Sequence, residues 1–319
     1  MPNYQGVWSL STQMQNASAW PSPPPVGLFN GGRLTGGART NTVQRTTIVS
    51  EGNTTDWGDL VYASNSASAA GSATRGIFAG GEESTPDNKI QYVSFAAEGN
   101  YADFGDLSVN HGYTSGCSNQ TYMLVMGDIN DGAARGQVDV ITIATLGNGA
   151  DFGDLITDCY LTTSVGSTTR AVCQNGQAWS AGTKLNSMEY TTIGTSGSFS
   201  DFGDLTLARD SAGGASSNTR GLIMGGNSGS FSDVIDYITT ASTGNATDFG
   251  DLTQAVDQQD AVSNKTRAVR GGGRISGTSG LVNMDFVTIA STGNATDFGD
   301  LLAANYDLSG NSNAHGGLS

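Results

Sequence analysis

The chain has 319 residues, with 46 Gly, 14 Lys or Arg and 29 Asp or Glu, and a formal charge of −15. This balance argues against nucleic-acid binding, which rests on basic side chains neutralising phosphates, and it suits a soluble, outward-facing surface. The three cysteines, Cys117, Cys159 and Cys173, are odd in number and form no C-x-x-C, so they cannot all pair within the chain, and the apolar runs are too short to span a membrane.

Residues 1–25 differ in kind from the rest. They hold five of the six prolines (Pro2, Pro21, Pro23, Pro24 and Pro25) and two of the four tryptophans, Trp8 and Trp20. The stretch "WPSPPP" reads as stiff polyproline without internal hydrogen bonds, and the opening "MPNYQGVWSL" is polar and gives no secretory signal. Aromatic and proline residues on a detachable arm are the composition of a contact with another subunit. Trp8, Trp20, Pro21, Pro23, Pro24 and Pro25 are therefore the candidate partner-binding residues. The alternative is that the arm plugs its own domain.

From Val26 the chain repeats. An apolar strand ending in small residues, "VGLFNGG", recurs as "RGIFAGG" from Arg75, "YMLVMGD" from Tyr122, "RAVCQNG" from Arg170, "RGLIMGG" from Arg220 and "RAVRGGG" from Arg267. A variable loop follows, and then a second strand such as "KIQYVSFA" (Lys89–Ala96) or "VIDYITTA" (Val234–Ala241), with apolar residues on both parities. That pattern predicts a sheet buried on both faces. Each unit ends in a D-[FW]-G-D-L pentad, starting at Asp56, Asp103, Asp151, Asp201, Asp248 and Asp297, with gaps of 47, 48, 50, 47 and 49 residues.

A lone D-F-G would suggest a kinase, but neither H-R-D nor V-A-I-K occurs. Calcium takes six to eight oxygens, whereas each pentad offers two carboxylates. The pentad reads instead as a turn, with Asp bonding nearby backbone N–H groups, Gly supplying a positive φ and the aromatic filling the gap between neighbouring sheets. The sequon residues Asn53, Asn245 and Asn294 read as repeat-turn residues, and Cys173 as a small buried hydrophobe.

A period of roughly 48 residues built from short strands predicts a propeller. Gly316 stands 290 residues after Val26, six repeats on, so the C-terminal segment is a first strand without its successors. The expected fold is all-β: a six-bladed β-propeller over residues 26–319. Its first blade takes strand one from about Gly310–Ser319, which removes two open sheet edges.

Strings such as "TRGLIMGG", "VIDYITTASTGNATDFGDL" and "GVWSLSTQMQNASAWPSPPP" resemble the kelch-like repeat virion proteins of tailed, especially marine, bacteriophages; Asp128 and Asn175 break two of the Gly-Gly pairs. The resemblance implies a tail-fibre or structural protein of the particle, assembled in the host cytoplasm and exposed on the virion. Its partners would be other virion proteins, sister subunits and a host surface glycan.

Arg75, Arg170, Arg220 and Arg267 share one repeat position, which favours a structural pairing with nearby Asp over a substrate-binding cluster. The two histidines, His111 and His315, lie in different repeats, and there is neither a G-x-S-x-G elbow nor a G-K-[ST] phosphate loop. No catalytic, cofactor or metal residue is expected. A ligand surface would lie in the divergent loops at Arg33–Thr42, Glu82–Asn88, Asp128–Gln137, Gln177–Leu185, Asn227–Ser232 and Arg274–Gly280. Trp179, Arg135 and Arg274 are its candidate residues, although Trp179 more simply caps the apolar end of its own blade. The expected function is a non-enzymatic virion component, most simply a fibre or receptor-binding module. The alternatives are a head, neck or tail decoration protein and, last, a glycan-cleaving enzyme.

Overall fold

The computed structural model describes residues 24–130, 133–179, 182–195 and 197–318. Trp8, Trp20, Pro21 and Pro23 lie outside them. Among the described residues there is no helix, and six antiparallel four-stranded units form a six-bladed β-propeller. Blade 2 shows the plan: Ser68–Gly71, Arg75–Ala79, Asp87–Ser94 and Ala102–His111, paired in that order from the inside outward. The six innermost strands touch in a closed cycle around an axial channel.

The ring closes as the register predicts. Ser309–Ser312 pairs antiparallel with Val26–Asn30, with Gly27 opposite Ser312 and Asn30 opposite Ser309. The turn joining strands one and two is preserved across the break. In other blades a Ser or Asn side chain accepts from the first N–H of strand two, as Asn119 Oδ1 does from Tyr122; here Asn313 Oδ1 accepts from the Val26 N–H. The predicted strand is shorter than expected, however. Beyond Ser312 the chain leaves the blade and crosses the end of the channel, where His315 Nε2 lies 2.9 Å from Gly71 O and the Gly316 N–H donates to Ser216 O. Glycine is required there, because a β-carbon on Gly317 would lie 1.9 Å from Ser118 O.

Six buried clusters each join one blade to the next, and each centres on a pentad aromatic. Trp57, Phe104, Phe152, Phe202, Phe249 and Phe298 are all buried, so the aromatic does plug the gap between sheets. The pentad itself is not a turn. It lies on the outermost strand at a β-bulge, as between Val43 and Gln44 opposite Asp56–Gly58. Its glycine, at φ 136–151°, sits against the following blade's turn, where a β-carbon on Gly105 would lie 2.5 Å from Gly147 O. Asn53, Asn245 and Asn294 belong to those turns. Their Oδ1 atoms accept from the N–H groups of Asp300, Asp204 and Asp251 in the preceding blade.

The arginine row corrects an expectation. Arg75, Arg170, Arg220 and Arg267 do not rely on Asp partners. Each donates through Nη1 to a backbone carbonyl of the following blade, on Ile143, Thr240, Ile289 and Ile48 respectively. Each guanidinium also lies 4.1–4.6 Å from the centroid of an aromatic ring in its own blade: Tyr92, Tyr190, Tyr237 and Phe286. The first Asp of every pentad is exposed, where an ion pair gains little beside a stacked, half-buried carbonyl site. Cys173 is buried in its strand, as expected.

Candidate functional site

Because every blade is antiparallel, the loops between strands two and three share one end of the propeller with the chain's passages from blade to blade. The divergent loops therefore surround one mouth of the channel, and the C-terminal segment closes the other end. Val26 enters at the closed end, with Pro25 O accepting from the Ile48 N–H.

The mouth is framed by a structure that residue types do not announce. Ser66, Tyr113, Leu161, Ser211, Gln258 and Asp307 occupy one repeat position, and all have φ between 54° and 60°. Each N–H donates to the carbonyl of its counterpart in the preceding blade: Ser66 to Asp307, Tyr113 to Ser66, Leu161 to Tyr113, Ser211 to Leu161, Gln258 to Ser211 and Asp307 to Gln258, at 2.8–3.1 Å. A closed circle of six hydrogen bonds holds six non-glycine residues in a conformation that costs each of them on the order of 1 kcal/mol.

Below the circle lies a cavity of about 100 Å³, continuous in its lining with a second of about 60 Å³ that reaches His315. The upper walls are inner-strand edges with small and hydroxyl side chains, and two carboxyl groups stand among them, Asp307 and Asp260. Asp260 accepts from the N–H groups of Gly310, Ala261 and Gly214. Beside the mouth is a charged cluster. Glu82 pairs with Arg33 at 2.9 Å and Arg39 at 3.0 Å and accepts from the Tyr113 hydroxyl. Arg33 Nε lies 3.5 Å from Asp307. Arg274 grips Asp257 through Nε and Nη2, so this predicted ligand residue is already engaged in the wall.

Trp179 is a different case. It is 40% exposed, on the same face, with its ring edge-on to Tyr160 at 6.1 Å. Arg135 lies on the strand Ala133–Thr142, and its side chain falls outside the described residues. Of the predicted loop residues, Trp179 and Arg274 share the face with the mouth but form no common cluster. Sequence reading missed Asp307 and Asp260 and marked Glu82 only as the start of a divergent loop, although Asp260 stands where four other blades carry Ser or Thr, a departure visible in alignment of the repeats. Among the described residues no group of three or more His, Cys, Asp or Glu side chains is placed to hold a metal ion, and no helix is long and apolar enough to cross a membrane. Neither a protein-family model nor a curated protein matches the chain.

The mouth gives stability a pH dependence. Burial raises Asp307 to about 7, with Arg33 and Arg274 pulling it partly back, and burial raises Asp260 to about 6 against its three N–H donors. A carboxyl with a raised folded-state pKa binds its proton more tightly when folded, so its contribution is present at low pH and lost as pH rises through the folded value. His315 acts oppositely: burial lowers it, and its contribution is lost as pH falls below the ordinary imidazole value of about 6.5. The expected result is a Tm that rises as pH falls from about 8 to 6.5. Asp307→Asn should flatten most of that slope. Thermal unfolding of both proteins across this range checks it, and parallel slopes would rule Asp307 out as the source.

Proposed function

We propose that the chain is a non-enzymatic component of a tailed-phage particle, held through residues 1–25, that presents the open end of its propeller to a host-surface ligand. The observation that carries this reading is the polarity of the molecule. The chain enters at Pro25–Val26 on the end closed by the C-terminal segment, while the divergent loops, exposed Trp179 and the channel mouth occupy the opposite end. An attachment at one end leaves the other free, as an adsorption module requires.

The test is a chain starting at Val26. It is expected to remain a folded, β-rich monomer, to keep its adsorption to host cells in purified form, and to fail to join particles or oligomers. Normal incorporation of that chain would refute the anchoring role. Failure of the full-length protein to adsorb, with density for it on the head or neck of the particle, would transfer it to the decoration class. Release of reducing sugar from host polysaccharide would overturn the non-enzymatic claim.

A further inference from the structure

We infer that the channel mouth is a binding site for a small primary ammonium group, with Asp307 as its principal acceptor. This site is independent of the particle assignment.

The argument begins with what Asp307 lacks. Its side chain is only 8% exposed and, among the described residues, its one ion pair within 4 Å is Arg33 Nε at 3.5 Å, beyond good hydrogen-bonding distance, with Arg274 acting from further away. The hydrogen bonds of the nearby cations go elsewhere, from Arg33 and Arg39 to Glu82 and from Arg274 to Asp257, which leaves only Arg33 Nε, itself without a hydrogen-bond partner, facing Asp307. Among the described residues no Lys, Arg or His lines the upper cavity, while Asp260 adds a second carboxyl to its wall. Gln258, next around the circle, has a buried Oε1 with no hydrogen-bond partner. A buried carboxylate without a donor is unfavourable, so the site favours a ligand that brings donors and positive charge and disfavours a carboxylate or phosphate.

Size narrows the class further. An apolar cavity of about 150 Å³ accommodates benzene, so about 100 Å³ admits an aminoethyl-sized group and not a whole oligosaccharide. An ammonium brings three donors, and Asp307, Asp260 and Gln258 are among the carboxyl- and amide-bearing residues of the cavity lining. The groups facing Asp307 are Arg33, Arg274, Asp257, Glu82 and Tyr113. With Asp307 raised to about 7 by burial, cation binding favours its ionised form. Affinity should therefore rise as pH increases through 7, with proton release on binding.

The same ammonium could arrive on a free amine, an amino sugar or a lysine side chain. Calorimetric titrations of the full chain with ethanolamine, glucosamine and Nα-acetyl-lysine amide, at pH 7.5 and about 0.15 M salt, separate these sources. At least one is expected to saturate. Its neutral counterpart (ethylene glycol, glucose or Nα,Nε-diacetyl-lysine amide) should bind about tenfold weaker or less, as expected for loss of a charged hydrogen bond. Asp307→Asn should cost a similar factor, and it should fold, because Asn tolerates positive φ; its Tm checks this. Asp103→Asn, on the exposed rim, should bind as the unchanged protein does. The proposal is overturned if none of the three amines binds, if neutral counterparts bind equally, if folded Asp307→Asn binds unchanged, or if Asp103→Asn weakens binding as much as Asp307→Asn.

Discussion

Removing residues 308–319 is expected to open the ring and to abolish most of the soluble, folded protein. The segment supplies the inner strand of blade 1, Ser309–Ser312, in which all four residues are buried. Without it the strand Val26–Asn30, also buried throughout, becomes an open edge with unpaired backbone groups, a template for aggregation. Leu308 and Leu318 are both buried, and their loss alone withdraws roughly 3–6 kcal/mol of apolar burial, against a total stability of about 5–15 kcal/mol for a typical domain. Any soluble fraction should show a Tm lower by about 10 °C or more. A peptide of residues 305–319 added in trans should restore part of it. Gly317→Val separates the tail from the strand: its side chain meets Ser118 O and should displace the tail while leaving Ser309–Ser312 paired, for a smaller loss than truncation. A truncated chain that melts with the intact one would refute closure by the C-terminal strand.

The parts of this fold legible in the sequence are those where one physical demand repeats with one residue type. A gap between sheets calls for a large aromatic, and a bulge pressed against the next blade's turn calls for glycine, so Phe249–Gly250 and Phe298–Gly299 recur almost letter for letter. Ring closure was legible because the register counts through to the end of the chain. The circle at the mouth was not. Ser66, Tyr113, Leu161, Ser211, Gln258 and Asp307 have no chemistry in common, since their positive φ is imposed by neighbouring backbone and not by side-chain preference. The arginine row was visible as a row, but its partners were not: a carbonyl such as that of Ile143 comes from the adjacent blade and has no signature in sequence.

A second sixfold device was hidden for the opposite reason, because different residues meet one demand. The N–H that follows each pentad is bound by a side chain from strand three of the next blade. Gln91 accepts from Val61, Asp139 from Ser108, Glu189 from Ile156, Asp236 from Thr206, Asp285 from Thr253 and Gln44 from Leu302. All six clamps are buried. Two are neutral and four are acids, and the acids are compensated locally. His111 Nε2 lies 3.6 Å from Asp139, Asn175 donates to Glu189, Arg209 pairs with Asp236, and Arg270 pairs with Asp285. Compensation comes from more than one place: His111 and Arg209 share one repeat position, whereas Arg270 replaces an apolar core residue such as Val125 or Ile223. The clamp for the N–H is the fixed requirement, and the charge state of the clamp is free to vary with its neighbour.

That independence predicts a large, specific energetic coupling. Arg209 and Asp236 are both fully buried and 3.1 Å apart, and Arg209 also donates to the carbonyls of Ile223 and Val234. Arg209→Asn leaves the Asp236 carboxyl in the interior without its counter-charge and with only Thr206 as donor, and Asp236→Gln leaves a guanidinium without its own. Each single change is expected to cost about 3–5 kcal/mol, the usual cost of stranding one member of a buried pair. Made together, they reproduce the chemistry between blades 6 and 1, where Asn305 and Gln44 occupy the two positions and Gln44 still binds the Leu302 N–H. The double variant should therefore recover stability relative to the sum of the singles by about 1–3 kcal/mol, short of full recovery because Asn leaves part of the arginine's volume unfilled. Denaturant unfolding of the four proteins measures the coupling directly. If the two losses simply add, the charge at this junction is not what Arg209 is there to balance, and its contacts with the Ile223 and Val234 carbonyls carry the stability instead.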